Sequence, residues 1–141
     1  MAGSAKSLRF RHWALVVLLG LAGCGATAER GGRVEQFDKV IRAYETAIRW
    51  SDFDRAAGVA GLPPEQRAAA QKLAPVKVIA YEVMSAEVSA DTLQVRQTVQ
   101  IEYTIEGSVK LRRIQDRQGW HFDDAQGRWV LVSGLPDFLG H

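Results

Sequence analysis

The sequence predicts an α+β domain in which three helices are packed on one face of a curved antiparallel sheet of four to five strands. Two patterns carry this prediction. Between Phe37 and Ile48, apolar residues recur every three or four positions, as on one face of a helix. Between Leu93 and Ile105, apolar and polar residues alternate, as in a strand with one buried face. Because the helical patterns precede the strand patterns, the order of elements indicates an α+β domain.

The composition is that of an ordinary globular domain. Of the 141 residues, 47% are hydrophobic and 24% are charged, which excludes a wholly disordered, collagen-like or multi-span membrane chain. The formal charge of +2 includes Lys6, Arg9 and Arg11, which lie in a segment that we expect to be removed. Taking these three from the 18 basic residues leaves 15 against 16 acidic residues, a net charge of −1. This balance argues against nucleic acid as a partner.

The amino terminus has the features of an export signal. A basic stretch at residues 5–11 precedes an apolar run from Trp13 to Leu21. The run has about nine residues, whereas a permanent membrane-spanning helix needs roughly twenty. The next residues, Leu-Ala-Gly-Cys at 21–24, resemble the lipobox of bacterial lipoproteins. In that family the thiol receives a diacylglyceryl group, the chain is cut before the cysteine and the new amino terminus is acylated.

The lipobox resemblance implies a signal peptide at residues 1–23, cleavage between Gly23 and Cys24, and lipidation of Cys24. Cys24 is the only cysteine, so the exported domain cannot contain a disulfide bond. The following residue is Gly25 and not the Asp that retains similar lipoproteins at the inner membrane. We therefore expect a lipid anchor on the periplasmic side of the outer membrane. Residues 24–34, rich in Gly and Ala, predict a flexible tether to a domain at 35–141.

Three helical segments are predicted, at residues 35–50, 51–61 and 65–74. Ser51 and Asp54 have the spacing of a capping box, in which the serine hydroxyl accepts a hydrogen bond from the first turn of the second helix. The third segment is rich in alanine and ends before a proline.

The first strand is predicted at Val76–Val88, which is apolar on both faces. We expect the face with Ile79, Tyr81 and Val83 to point inward. The opposite choice would place Glu82 inside the domain.

The second and third strands are predicted to form a hairpin with a three-residue loop at 106–108. This loop sets apolar against apolar and acid against base in the pairs Ile105–Val109, Tyr103–Leu111 and Glu102–Arg112. A two-residue loop would pair Ile105 with Lys110 and is disfavoured.

A second hairpin is predicted with its loop at 124–127. Its pairs are Phe122–Trp129, Trp120–Leu131 and Asp123–Arg128. Between the two hairpins, residues 112–114 upset the alternation, and residues 117–119 are compatible with either a bulge or a turn.

Residues 44–54, Tyr-Glu-Thr-Ala-Ile-Arg-Trp-Ser-Asp-Phe-Asp, resemble the opening of NTF2-like (cystatin-like) domains. There a helix, a small-residue break and an Asp-Phe pair lead into the second helix. The resemblance covers residues 35–138 and implies a cone formed by a curved sheet. The superfamily includes enzymes such as ketosteroid isomerase and scytalone dehydratase, transport factors and lipoproteins, so the fold does not select a function.

Catalytic motifs are sparse. Beyond the signal segment the histidines are His121 and His141, without metal-ligand spacing, a hydrolytic triad or a Gly-rich phosphate loop. We expect His121 to point outward beside Asp123, and we expect no metal or cofactor. Enzymes that resemble this fold use carboxylates or tyrosines inside the cone.

The candidate pocket residues are Gln97, Tyr103 and Trp120, joined by Glu82 if the first strand is reversed. We expect Trp50, together with Trp120 and Trp129, to lie in the core. Because the predicted inward residues are almost all apolar, the sequence favours a non-catalytic domain that binds a small apolar ligand or an envelope protein. The alternative is an NTF2-like enzyme, of the dehydratase or isomerase type, that uses a single pocket acid.

Overall fold

The computed structural model describes residues 24–140. The helices are α1 (Cys24–Arg49), α2 (Phe53–Val59) and α3 (Pro64–Ala70), followed by a 3₁₀ turn (Gln71–Leu73). The strands are β1 (Val76–Val88), β2 (Gln94–Ile105), β3 (Arg112–Asp123) and β4 (Arg128–Leu131), which form one antiparallel sheet in the order β1-β2-β3-β4. The prediction of an α+β chain with helices before an antiparallel sheet is confirmed. The predictions for residues 1–23 lie outside the described residues.

The helices pack on one face of the sheet, which we call the inner face. The ring of Tyr44 on α1 meets Trp120 edge-on, with centroids 5.2 Å apart, and Phe37 meets Trp129 in the same way at 4.9 Å. On α2, Phe53 lies 5.3 Å from Phe138 of the carboxyl-terminal segment. The predicted buried stripe of β2 is confirmed, since its inward residues are buried: Val95, Gln97, Val99, Ile101 and Tyr103.

Helix α1 begins earlier than predicted. Residues 24–34, expected to form a flexible tether, are helical, because alanine, glutamate and arginine favour helix and an existing helix elongates easily. Helix α1 contacts the sheet at Arg33, whose carbonyl accepts a 3.0 Å hydrogen bond from Trp129 Nε1. One turn later, Gln36 Nε2 donates to the carbonyl of Gly127 at 2.9 Å. These bonds fix α1 to the β3–β4 hairpin.

The link between α1 and α2 differs from the predicted capping box. Asp52 caps α2, its carboxylate accepting from the backbone N–H of Arg55 at 3.1 Å. Ser51 adopts a left-handed conformation with φ 56°, and its Oγ accepts a 2.9 Å hydrogen bond from the backbone N–H of Val78. Trp50 was predicted to lie in the core but is 80% exposed, because the chain turns away from the sheet at this point.

A bulge in β1 changes which residues point inward. The pairing with β2 shifts between Val78 and Ala80. Val76 is fully buried before the bulge and Tyr81 is buried after it, whereas Ile79, within the bulge, is exposed. The predicted inward face is therefore correct for Tyr81 and wrong for Ile79, because an extra residue reverses the alternation.

The β2–β3 pairing is shifted by one residue from the prediction. Tyr103 pairs with Arg112 and Ile101 with Ile114, so the register is the one that the disfavoured two-residue loop implies. Residues 106–111 nevertheless leave the sheet, and Val109 and Leu111 are exposed and not inward. The long alternation of β3 decides the register over the local turn pattern.

The β3–β4 hairpin is confirmed pair by pair, including Phe122 with Trp129 and Asp123 with Arg128. Neither a turn nor a break in pairing interrupts residues 117–119, so β3 is one continuous strand. Every second residue of β3 from Ile114 to Phe122 therefore belongs to the inner face.

Candidate functional site

Four polar side chains lie together on the inner face, where an apolar wall was expected. We call Tyr81, Gln97, Asp116 and Gln118 the polar cluster. They come from three neighbouring strands: Tyr81 from β1, Gln97 from β2, and Asp116 and Gln118 from β3. Tyr81, Gln97 and Gln118 are buried, and Asp116 is partly buried.

Gln118 is the centre of the hydrogen-bonding network. Its Nε2 donates to Asp116 Oδ2 at 2.8 Å and to the hydroxyl of Tyr81 at 3.1 Å. Its Oε1 accepts from Trp120 Nε1 and from Gln97 Nε2, each at 3.4 Å. Gln97 Nε2 is also 3.4 Å from the Tyr81 hydroxyl. Buried amides are stable only when their donors and acceptors are paired, and this network pairs them.

Asp116 is the acidic member of the polar cluster. It is half-buried, and burial raises the pKa of its carboxyl group, while the hydrogen bond from Gln118 partly opposes this change. Within residues 24–140 it forms no ion pair. The carboxyl group is therefore accessible, lacks a cationic partner and takes up a proton more readily than an exposed aspartate.

Two tyrosine hydroxyls accompany this carboxyl group. Burial raises the pKa of Tyr81 to about 12, and the negative charges of Asp116 and Glu45 add to the effect. The pKa of Tyr44 is raised well above its usual value, mainly by burial and then by the charges of Asp116 and Tyr81. Both phenols are neutral donors near pH 7. The Tyr44 hydroxyl is buried and has no hydrogen-bond partner among the described residues.

The end of α1 is fastened to β1 beside the polar cluster. Arg49 donates from a terminal guanidinium nitrogen to the carbonyl of Tyr81 at 2.6 Å, and its guanidinium lies 5.6 Å from the centre of the Tyr81 ring. Glu45 accepts from Arg49 Nε at 2.8 Å. Because these contacts cover the edge of β1 at Tyr81, the cluster is closed on this side.

The other part of β1 leaves the inner face uncovered. In the strand register, Val83 lies opposite Val99, which lies opposite Asp116. Ala86 and Val88 follow on the same face, after a second bulge. Val83 is 47% exposed and Val88 is 55% exposed, although both belong to the helix-covered face. We call Val83, Ala86 and Val88 the open corner, an exposed apolar surface that adjoins the row of Asp116.

The predicted pocket residues are divided by the structure. Gln97 belongs to the polar cluster and Trp120 donates to it. Tyr103 lies elsewhere in the core, where its hydroxyl donates to the carbonyl of Phe138 at 2.7 Å. Glu82 is exposed on the outer face, opposite Gln100, so the reversed first strand that would bring it inside is wrong.

Sequence reasoning missed Asp116 and Gln118, although a signal for them exists. Trp120 and Phe122 were placed inward, and counting back in steps of two gives Gln118, Asp116 and Ile114. A turn or bulge at residues 117–119, with which the sequence is also compatible, reverses that count.

Other site types have no counterpart in the described part of the chain. Residues 24–140 contain no group of three or more His, Cys, Asp or Glu that could hold a metal ion. His121 is exposed. None of the described helices is long and apolar enough to cross a membrane. Comparisons of the chain with models of protein families, with curated proteins and with solved structures found no match.

Proposed function

We propose that this protein is a lipid-anchored, exported binding protein whose inner face holds a small, mostly apolar ligand at the open corner. One observation carries the proposal: the exposed apolar open corner adjoins the row of Asp116, a partly buried carboxyl group that forms no ion pair among the described residues. Burial and the charge of this carboxyl group raise the pKa of Tyr44, whose buried hydroxyl has no partner among the described residues. An apolar surface with a few convergent polar groups is typical of small-molecule sites.

The energetics favour a ligand with one polar group. A buried hydroxyl without a partner costs about 1 to 3 kcal/mol, which a ligand recovers if it supplies the missing hydrogen bond. Asp116 offers an acceptor that can be reached from solvent, and Tyr44 offers a donor. A hydroxyl at one end of the ligand can donate to Asp116 and accept from Tyr44, while the apolar body of the ligand covers Val83 and Val88.

The location is part of the same proposal. The lipobox resemblance of residues 21–24 supports lipidation of Cys24 and placement on the periplasmic side of the outer membrane. Two or more acyl chains bind a membrane stably, whereas one chain is marginal. The order of helices followed by an antiparallel sheet supports the NTF2-like cone. An envelope protein is the other class of partner for this face.

A second function has its own supporting observation. Asp116 has a raised pKa, and Gln118 Nε2 donates both to this carboxyl group and to the Tyr81 hydroxyl. An NTF2-like enzyme with a single pocket acid requires an environment of this kind. Such a carboxyl group can accept and return a proton during a dehydration or an isomerisation. In this alternative Asp116 takes the role that the sequence had assigned to Glu82.

The test is to identify small molecules that remain bound to the full, detergent-solubilised protein. Mass spectrometry of extracts should find one compound with the wild type that is lost in Val83→Glu and Asp116→Asn. Val109→Glu is the control, because Val109 is also an exposed valine but lies in the β2–β3 loop. Identical extracts from all four proteins would contradict the proposal.

The same compound separates binding from catalysis. If the protein is a binding protein, the wild type should bind the added compound without converting it. Conversion by the wild type and not by Asp116→Asn would instead establish the enzymatic alternative.

A further inference from the structure

A groove lies on the outer face of the sheet, and its lining also includes Gln97 and Gln118, whose side chains belong to the polar cluster. It has a volume of about 440 Å³, and its side chains include Ser85, Glu87, Arg96, Thr98, Arg117 and Ser133. This volume is within the range of sites for small molecules, about 300 to 1,000 Å³. Unlike the open corner, the groove is lined mainly by charged and hydroxyl-bearing residues.

Two guanidinium groups converge on this groove. Arg96 lies opposite Gly119 and Arg117 lies opposite Thr98, so the two arginines occupy diagonal positions on one face of the β2–β3 pair. Diagonal neighbours are about 7 to 8 Å apart, within reach of long side chains. Within the described chain, neither guanidinium group forms an ion pair or a hydrogen bond. Arg113 on the same face does, donating from Nε to Glu102 at 3.0 Å.

The backbone at Gly119 leaves space between these arginines. A Cβ atom at this position would lie 3.3 Å from Val132 Cγ2, so the absence of a side chain at Gly119 leaves this part of the surface open. The Gly119 N–H donates to Ser133 Oγ at 3.1 Å, which fixes that hydroxyl at the groove. Thr98 and Ser85 supply further hydroxyls opposite each other on β2 and β1.

Glu87 sets a limit on the charge of the ligand. It lies opposite Arg96 in the strand register, but the two side chains form no ion pair. The groove therefore carries two positive charges and one negative charge. This combination suits an anion of low charge and disfavours a polyanion such as nucleic acid.

We propose that this groove binds a small molecule through a single oxyanion group, a phosphate or a carboxylate, held between Arg96 and Arg117. Guanidinium groups pair with two oxygens at once, and serine or threonine hydroxyls donate to the remaining oxygens. The proposal is independent of the ligand at the open corner.

The test is calorimetric titration of the full, detergent-solubilised protein at constant ionic strength with inorganic phosphate, acetate and glycerophosphoglycerol. Arg96→Gln and Arg117→Gln should each weaken binding at least tenfold, while Glu87→Gln should strengthen it two- to fivefold. Arg113→Gln is the matched control and should leave the affinity unchanged, because Arg113 is paired with Glu102 and is not part of the groove.

The three probes distinguish the sources of the oxyanion. If inorganic phosphate binds most tightly, the ligand is a free phosphate compound. If acetate binds most tightly, the ligand is a carboxylate, and if glycerophosphoglycerol does, the ligand is the headgroup of a lipid. The proposal is overturned if the wild type binds none of them, or if Arg113→Gln weakens binding as much as Arg96→Gln does. All these substitutions are at exposed positions, so thermal unfolding should confirm that each variant is folded.

Discussion

Ser51 Oγ accepts a 2.9 Å hydrogen bond from the backbone N–H of Val78, which joins the end of α1 to β1 at its first bulge. This bond uses an N–H on the edge strand that would otherwise lack a partner, and it acts beside the contact of Arg49 with Tyr81. The two contacts together hold the carboxyl-terminal half of α1, with Tyr44, over the polar cluster.

Replacing Ser51 separates the hydrogen bond from the backbone strain. Ser51→Ala should lower the free energy of unfolding by about 1 to 3 kcal/mol, because the Val78 N–H loses its acceptor. Ser51→Gly loses the same bond but relieves the positive φ of 56°, so it should cost less than Ser51→Ala. Denaturant unfolding measures both. Equal losses would mean that the conformation of Ser51 stores no strain.

Two buried tyrosines should respond in opposite ways to loss of the hydroxyl. Tyr103→Phe should destabilise the protein by about 1 to 3 kcal/mol, because the buried carbonyl of Phe138 loses its donor. Tyr44→Phe should be neutral or stabilising in the ligand-free protein, because its hydroxyl has no partner among the described residues. Thermal unfolding compares them. A large loss in Tyr44→Phe would show that this hydroxyl is already satisfied.

The stability of the protein should depend on pH through Asp116. Burial raises the pKa of this carboxyl group above 3.8, so the folded protein binds its proton more tightly than the unfolded chain does. The contribution of Asp116 to the free energy of unfolding therefore falls as pH rises from about 3.8 through the raised pKa, and it is constant at higher pH. Relative to the wild type, Asp116→Asn should gain stability across this interval in denaturant unfolding.

Asp91 is a control, because its pKa is shifted in the opposite direction to that of Asp116. Hydrogen bonds from Ser89 and from the backbone of Leu93 lower the pKa of its exposed carboxyl group. The wild type should thus gain stability over Asp91→Asn as pH rises through this lowered pKa to about 3.8. Parallel pH profiles for the two variants would contradict at least one of the two assignments.

The tryptophans should differ strongly in their contribution to stability. Trp129→Ala should cost about 3 to 5 kcal/mol, since its ring packs against Phe37 and its Nε1 donates to Arg33. Trp50→Ala should change the free energy of unfolding by no more than about 0.5 kcal/mol, because Trp50 is exposed. Comparable losses in the two variants would show that Trp50 is covered in solution.

Cys24→Ser tests the lipid anchor. The variant should escape the processing that the lipobox resemblance implies and should lose the acyl chains, so the mature lipidated form should disappear from membranes. Fractionation, with a blot that resolves the precursor from the mature chain, measures this outcome. Normal cleavage together with tight membrane association would contradict lipidation.

The predictable parts of the fold are those decided by neighbouring residues. The β3–β4 hairpin was predicted pair by pair because aromatic residues oppose apolar ones and Asp123 opposes Arg128 across a short loop. The β2–β3 register was wrong because the turn pattern at 106–108 conflicts with the alternation of β3. In this conflict the longer strand dominates, since a shift by one residue would turn its whole buried set outward.

The candidate site was predictable only in part for a similar reason. Gln97 and Trp120 follow from the alternation of their own strands. Asp116 and Gln118 follow only if β3 is known to be continuous. The bulge at Ile79 and the exposure of Trp50 occur where the link between α1 and α2 meets β1, through the contact of Ser51 with Val78. No local pattern in the sequence contains that contact.

The continuous α1 determines how far the sheet lies from Cys24, the proposed point of lipid attachment. A helix rises about 1.5 Å per residue, so the segment between Cys24 and Arg33 spans about 14 Å. With the acyl chains proposed at Cys24, this helical segment is a rigid spacer between the lipid and the β3–β4 hairpin, to which it is hydrogen-bonded at Arg33. The open corner and the groove on the outer face would then lie at a set distance from Cys24, and a ligand delivered from the membrane would have to cross that distance to reach either one.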